Sequence, residues 1–178
     1  MLLVKMKDEL SADISSSYIL LSSTVGVLMI IEFLIPFFFF NYSVNLFLFG
    51  VGWILIVLGF WLVSHSISLL RKKGGIDKSD SIGEITSLVT TGFYGIVRHP
   101  MYIGMMIFSL ALCLTTQYLT SALISLIVIA LSVRLMLEEE NLNKLKFGES
   151  YLEYMKNVPR LNIYISLKRE YHARKQPR

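Results

Sequence analysis

The chain has 178 residues, of which 54% are hydrophobic and 17% are charged. Soluble domains carry roughly 25% charged residues, so this composition argues against an ordinary soluble domain. The 17 Lys and Arg residues outnumber the 13 Asp and Glu residues, but they cluster beside apolar runs, which argues against nucleic-acid binding. A single cysteine, Cys113, and the absence of any metal-ligand spacing rule out a disulfide framework and predict no metal site.

The first half of the chain carries two apolar runs, each long enough to cross a membrane. About 20 helical residues span a hydrocarbon core of ~30 Å. We therefore predict transmembrane helices over 17–40 and 44–70. Residues 1–16 hold three acids and two lysines, which favours a short polar or amphipathic lead-in to the first helix over a signal peptide.

Four residues in these two runs need an explanation. Glu32 lies in the first run, where a carboxyl group is a functional hypothesis by default, although a structural role near the end of the run is also open. Gly52 and Gly59 are seven positions apart, so they share a helix face and predict close helix packing. His65 is interpreted as an interfacial residue, with ligand contact as the alternative.

The second half begins with a polar stretch over 71–98, and a loop of this length beside rigid elements commonly carries function. A long apolar run follows, which predicts transmembrane helices over 101–118 and 119–137 in a tight antiparallel hairpin. The charged and apolar spacing beyond predicts that the last of these helices continues outside the membrane and stops at Gly148. A second short helix is expected to end at Pro159.

The distribution of positive charge predicts the orientation of the chain. Sixteen of the 17 Lys and Arg residues lie at Lys5, Lys7, 71–98 and 144–178, while the links at 41–43 and 117–120 carry no charge. Cytoplasmic segments are enriched in Lys and Arg, so both termini and the long loop are expected in the cytoplasm. The prediction is an all-α, multi-pass membrane protein forming a single domain over 1–178. It has four transmembrane helices, a cytoplasmic loop and a cytoplasmic C-terminal helical extension.

Two ionisable residues lie where a membrane site would meet the cytoplasm. Arg134 and Glu138 are four positions apart, so their side chains meet on one helix face. The pair is either a plain ion pair with a snorkelling arginine or the mark of an anion-binding arginine at head-group depth. His99 either caps a helix start or belongs to a site with Arg98 beside it. The residues alone predict a polar, cation-lined pocket at the cytoplasmic interface.

Two sequence blocks resemble a known enzyme family. Residues 88–104, LVTTGFYGIVRHPMYIG, are similar to the LVTxGxYxxxRHPxYxG signature of the isoprenylcysteine carboxyl methyltransferase family and its phospholipid methyltransferase relatives. The second block of the family is resembled by Glu138–Glu140, by FGESYLEY at 147–154 and by Val158–Arg160. Together the blocks cover about 85–160, in the order of the family and separated by the helical hairpin.

The resemblance implies a methyltransferase that binds S-adenosylmethionine at the cytoplasmic face and takes a lipophilic or prenylated substrate from the bilayer. The carboxylate of an isoprenylcysteine-type molecule is the preferred acceptor, and Arg134 is the implied catalytic and substrate-binding residue. The implied cofactor contacts are Leu88, Val89, Tyr94, His99, Pro100, Met101, Tyr102 and one of Glu138 or Glu139. Counting back from Phe147 selects Glu139, whereas counting on from Arg134 selects Glu138. Thr86 stands where some eukaryotic members have a histidine.

Three other interpretations stay open at this point. In the first interpretation, the methyl group is transferred to a phospholipid amine or to a thiol. In the second, the chain is an NADPH-dependent enzyme, because the carboxyl-terminal parts of sterol reductases look similar around RHPxY and VP. In the third, it is a non-catalytic membrane interaction protein. Membrane lipids are expected partners in every case, and neither nucleic acid nor metal is expected.

Overall fold

The computed structural model describes residues 2–38, 43–75 and 85–162, and the structural statements below concern these residues. They form six α-helices and no strand, which confirms the all-α prediction for this part of the chain. The helices are α1 (Leu2–Phe38), α2 (Leu46–Lys73), α3 (Phe93–Ile96), α4 (Pro100–Thr116), α5 (Leu119–Phe147) and α6 (Glu149–Asn157).

Three of these helices are long and apolar enough to cross a membrane: α2, α5 and the Ile14–Ile35 part of α1. They make the chain an integral membrane protein. The remaining predicted span, 101–118, corresponds to α4, which is apolar but has only 17 residues. It ends at Thr116 because Gln117 adopts a left-handed conformation with φ 56°.

The lead-in predicted over residues 1–16 is helical from Leu2 onward. Helix α1 begins at Leu2, no glycine or proline interrupts residues 2–16, and the membrane-length part starts at Ile14. The predicted continuation of the last long helix up to Gly148 is confirmed, since α5 continues to Phe147. Gly148, with φ 54°, allows the sharp turn into α6, which ends shortly before Pro159.

Helices α2 and α4 run antiparallel in close contact along a glycine face. A Cβ atom added at Gly59 would lie 2.9 Å from the Gly104 carbonyl oxygen and 2.9 Å from the Phe108 amide nitrogen. At Gly52 it would lie 2.6 Å from Thr115 Cγ2. The two backbones approach this closely only because neither glycine has a side chain, which confirms the predicted packing face.

An amide pair joins the start of α2 to the end of α4. The Asn45 amide nitrogen donates to Gln117 Oε1 at 2.9 Å, and Gln117 Nε2 donates to the Asn45 carbonyl oxygen at 2.9 Å. Asn45 Oδ1 also accepts from the Leu48 amide nitrogen at 3.1 Å, which caps α2. These bonds hold Gln117 in a conformation that non-glycine residues rarely adopt.

A fully buried carboxyl group joins α1, α4 and α5 inside the bundle. Ser109 Oγ donates to Glu32 Oε2 at 2.8 Å, and Ser125 Oγ contacts Glu32 Oε1 at 2.5 Å. Among the described residues, no Lys, Arg or His forms an ion pair with Glu32. We call Glu32, Ser109 and Ser125 the hydroxyl cluster, and its geometry favours the structural interpretation of Glu32.

Candidate functional site

A cavity lies at the end of the bundle opposite the Asn45–Gln117 pair. It holds about 350 Å³ of space free of protein atoms, part of it open to solvent. Both sequence blocks contribute to its wall. The lining residues are Leu70, Ile85, Leu88, Val89, Tyr94, Arg98, Glu139, Asn143, Phe147, Tyr151 and Tyr154.

The segment over 85–92 is held against the end of α2 by backbone hydrogen bonds. The amide nitrogens of Thr86 and Ser87 donate to the Gly74 carbonyl oxygen at 2.8 and 3.0 Å. The Thr86 hydroxyl donates to the Gly75 carbonyl oxygen at 3.0 Å, and its side chain does not line the cavity. The residue that departs from the family pattern therefore has a local structural role here.

Buried apolar and aromatic side chains form one wall of the cavity. Leu70, Val89 and Tyr94 pack together, and the Tyr154 hydroxyl donates to the Tyr94 carbonyl oxygen at 2.6 Å. Burial raises the pKa of Tyr151 to about 12, and it also raises the pKa values of Tyr94 and Tyr154 above the ordinary value. The three phenols are therefore neutral near pH 7 and do not serve as bases.

Glu140 is buried at the centre of a cluster of donors beside the cavity. Its Oε1 lies 3.3 Å from Arg98 Nη2 and 3.2 Å from His99 Nε2. Arg160 donates from Nε to Oε1 at 2.9 Å and from Nη2 to Oε2 at 2.6 Å, and this hydrogen bonding raises the pKa of Arg160. We call Arg98, His99, Glu140 and Arg160 the charged cluster. It ties the starts of α4 and of the C-terminal segment to α5.

Several buried polar atoms next to this cluster have no hydrogen-bond partner within the described part of the chain. They are Arg98 Nε and Nη1, His99 Nδ1 and Glu139 Oε2. His99 Nδ1 and Glu139 Oε2 lie 3.8 Å apart. An unpaired buried donor or acceptor costs roughly 1–3 kcal/mol, so such atoms are usually satisfied in native proteins. Their concentration at one cavity makes it the candidate site for a polar ligand.

The structure brings part of the predicted cofactor set to the cavity. Leu88, Val89, Tyr94 and Glu139 line it, and His99 reaches it through its contact with Glu139. Pro100 begins α4 and is buried, while Met101 packs against the core of the bundle. The Tyr102 hydroxyl lies 2.9 Å from that of Tyr18. Pro100, Met101 and Tyr102 do not line the cavity, although the Tyr102 side chain interacts with that of Glu139, which does.

Arg134 and Glu138 form the local ion pair that their spacing predicts. Arg134 Nε donates to Glu138 Oε1 at 2.9 Å, and 65% of the arginine side chain is exposed. Neither residue lines the cavity, whereas Glu139 does. Of the two possible registers, the geometry therefore brings Glu139 to the candidate site and leaves Glu138 with Arg134.

His65 lies outside the cavity and is exposed. Its ring centroid is 5.0 Å from that of Phe93 and 5.7 Å from that of Trp61. These contacts pack the start of α3 against α2.

Sequence reasoning assigned no role to Glu140, Arg160 or Asn143. The helical period offers a signal, because Met136, Glu140, Asn143 and Phe147 follow an i, i+4, i+7, i+11 pattern on α5. A carboxyl group on the buried face of a helix requires a partner. No group of three or more His, Cys, Asp or Glu residues in the described ranges is arranged to hold a metal ion.

Comparison with known proteins places the two blocks in one family. The family model described as phospholipid methyltransferase matches residues 47–150, which is more than half of the chain. The methanethiol S-methyltransferase of Pseudomonas deceptionensis is 39% identical over 113 residues, covering 62% of this chain and 42% of that protein. The protein-S-isoprenylcysteine O-methyltransferase of Schizosaccharomyces pombe is 40% identical over 78 residues, covering 40% of this chain and 31% of that protein.

The protein-S-isoprenylcysteine O-methyltransferase of Mus musculus is 39% identical over 88 residues, covering 47% of this chain and 28% of that protein. The chain spans less than half the length of these curated relatives. No solved structure matches it. The family match covers α2 to the start of α6, including most of the residues that build the cavity, and the chain belongs to the phospholipid methyltransferase family.

Proposed function

We propose that the chain is an S-adenosylmethionine-dependent methyltransferase that methylates a lipophilic substrate at the cytoplasmic face of a membrane. One observation carries this proposal: both family blocks line a single cavity, and buried polar atoms without partners lie at its wall. Leu88, Val89, Tyr94, His99 and Glu139 hold the cofactor. Pro100, Met101 and Tyr102 support the start of α4 behind them.

The residues of the cavity fit the chemical parts of this cofactor. Leu70, Val89 and Tyr94 offer an apolar and aromatic surface to an adenine ring. Arg98 and Glu139 offer charges of opposite sign to the amino-acid end. When bound, the cofactor supplies a methyl group already activated on a sulfonium centre. The chain then acts mainly by binding and orienting the two reactants and by excluding water.

The orientation and the number of crossings extend this proposal. Arg71, Lys72 and Lys73 end α2 beside the cavity, and Lys144 and Lys146 lie near the end of α5. This concentration of positive charge favours the cytoplasm for the cavity and for both termini. Helix α4 is about 26 Å long and packs against α2, so we count it as the fourth crossing. Residues 1–178 then form one domain, with the family-like core at 85–160.

Binding of the demethylated cofactor tests the proposal most directly. The purified chain in detergent should bind S-adenosylhomocysteine in a calorimetric titration. NADPH serves as the comparison ligand, because the sterol-reductase interpretation requires it. No heat of binding with millimolar S-adenosylhomocysteine would overturn the proposal, and thermal protection by NADPH alone would favour a reductase.

The acceptor is proposed to be a carboxylate of an isoprenylcysteine-type molecule, gripped by Arg134. Support comes from the relatives named as protein-S-isoprenylcysteine O-methyltransferases and from the exposure of the Arg134 side chain at the polar end of α5. A thiol is the second candidate, because other relatives are named as methanethiol S-methyltransferases.

Arg134→Lys separates the two candidates. Lysine keeps the charge but cannot make the planar two-point contact of a guanidinium group with a carboxylate. With labelled S-adenosylmethionine, turnover of a prenylcysteine carboxylate should fall by about tenfold or more, which corresponds to ~1.5 kcal/mol, while affinity for S-adenosylhomocysteine stays within about twofold. Full activity of the variant on this substrate would contradict carboxylate recognition by Arg134. Methyl transfer to a small thiol, equal in both proteins, would favour the thiol.

A further inference from the structure

Glu140 contacts only one side-chain nitrogen of Arg98 and one of His99. Arg98 uses Nη2 toward Glu140 Oε1, while its Nε and Nη1 are buried and have no partner in the described chain. His99 directs Nε2 to the same oxygen, and its Nδ1 has no hydrogen-bond partner among the described residues. The Glu140 carboxyl group therefore holds the Arg98 and His99 side chains through one nitrogen each, and their other side-chain nitrogens have no hydrogen-bond partner in the described residues.

The free atoms offer donors on one side and acceptors on the other. Arg98 lines the cavity, and its Nε–H and Nη1–H groups each offer one donor to a ligand carboxylate. In the tautomer that donates from Nε2 to Glu140, His99 presents Nδ1 as an acceptor. This atom lies 3.8 Å from Glu139 Oε2, a second buried acceptor. A group that carries both a carboxylate and an ammonium matches this arrangement.

From this geometry we infer that Glu140 is a positioning residue for the amino-acid end of the cofactor. It orients Arg98 toward the carboxylate and His99 toward the ammonium, and it does not itself contact the ligand. Arg160 holds Glu140 in place with two hydrogen bonds, at 2.9 and 2.6 Å. The inference rests on the proposed function, because it requires a cofactor with an amino-acid end.

The other end of the cofactor should be independent of Glu140. Leu70 at the end of α2, Val89 on the segment held by Gly74 and Tyr94 in α3 pack together as a separate group. None of these three side chains hydrogen-bonds to a member of the charged cluster in the described structure. An adenosine ligand without the amino-acid end should thus be insensitive to changes at Glu140.

The experiment compares two probes on four proteins by calorimetry in detergent. The probes are S-adenosylhomocysteine and 5′-methylthioadenosine, which lacks the amino-acid end. The proteins are the unaltered chain, Glu140→Gln, Glu140→Asp and a control, Glu153→Gln. Glu153 is exposed on α6, so its variant has the same change of charge as Glu140→Gln away from the cavity. Glu140→Asp keeps the charge but is too short to reach His99 and both arginines together.

Both Glu140 variants should bind S-adenosylhomocysteine about 10- to 150-fold more weakly, the range for loss of a hydrogen bond to a charged group. Their affinity for 5′-methylthioadenosine should stay within about threefold, and the control should match the unaltered chain with both probes. If Glu140→Gln does not fold, Glu140→Asp decides. Equal losses with both probes, or no loss with S-adenosylhomocysteine, would overturn the positioning role alone. Failure of the unaltered chain to bind S-adenosylhomocysteine would overturn the proposed function and this role with it.

Discussion

Two buried glutamates of this protein have opposite surroundings. Glu32 lies inside the helix bundle and meets the hydroxyl groups of Ser109 and Ser125. Glu140 lies at the polar end of the bundle and meets Arg98, His99 and Arg160. Both side chains are almost completely shielded from solvent, with exposures of 0% and 1%.

The difference shows that burial alone does not reveal what a carboxyl group does. A carboxyl group that meets only hydroxyl groups joins helices through hydrogen bonds, and no charged partner in the described residues depends on it. A carboxyl group among cations balances their charge, and its removal leaves those cations buried without compensation. The same Glu→Gln substitution therefore separates a packing role from an electrostatic one.

The largest effect is expected from Glu140→Gln. Arg98, whose side chain is only 8% exposed, would lose its charged partner, so the free energy of unfolding should fall by about 3 kcal/mol. Arg160 is 39% exposed and adds little to this loss. Denaturant titration of the purified chain in mixed micelles measures the change. A fall below about 1 kcal/mol would remove the contrast between the two glutamates.

Gly59→Ala should lower the free energy of unfolding by a smaller amount. The packing of α2 against α4 at this position depends on close contact and not on charge. The new Cβ would meet backbone atoms of Gly104 and Phe108 that cannot move aside cheaply. Overpacking of this kind costs about 1–3 kcal/mol. Gly50→Ala is the matched control on the same helix, because nothing lies within 4 Å of its Cβ position and alanine favours a helix.

The control variant, Gly50→Ala, is measured by the same denaturant titration, and no loss of stability is expected for it. Gly50→Ala should leave the free energy of unfolding unchanged or raise it by up to about 1 kcal/mol. Equal losses at Gly50 and Gly59 would show that the α2–α4 contact is not what limits side-chain size.

Glu32→Gln should have the smallest effect, below about 1 kcal/mol. Glutamine keeps the shape and one acceptor oxygen, and serine hydroxyls accept as readily as they donate, so both Ser109 and Ser125 retain a partner. Unfolding measured beside Glu140→Gln checks this prediction. A loss at Glu32 as large as that at Glu140 would mean that the hydroxyl cluster bears a charge-dependent role.

Features that depend on local spacing could be predicted from the sequence. The period of the helix places Gly52 and Gly59 on one face and Arg134 beside Glu138, and Gly148 stops α5 where a glycine was expected. The length of α1 could not be predicted, because the polar composition of residues 2–16 does not show whether the helix continues through them.

Contacts between distant positions could not be predicted in this way. Glu140 meets Arg160 across 20 positions, and Glu32 meets Ser109 and Ser125 across 77 and 93 positions. Spacing rules carry no information about such pairs, which exist only once the helices pack. The resemblance named the two blocks that form the cavity, but not the carboxyl group that links them.

The amide pair of Asn45 and Gln117 fixes the turn of the α4–α5 hairpin at the end far from the cavity. Helix α4 is a lever arm of about 26 Å, so a rotation of about 3° at this turn would displace the other end by about 1.4 Å. Arg98 sits at that end, and Glu140 belongs to the opposing arm, α5. A small change in the angle between α4 and α5 would therefore move Arg98 relative to Glu140, and separating the two helix ends would break the Arg98–Glu140 contact.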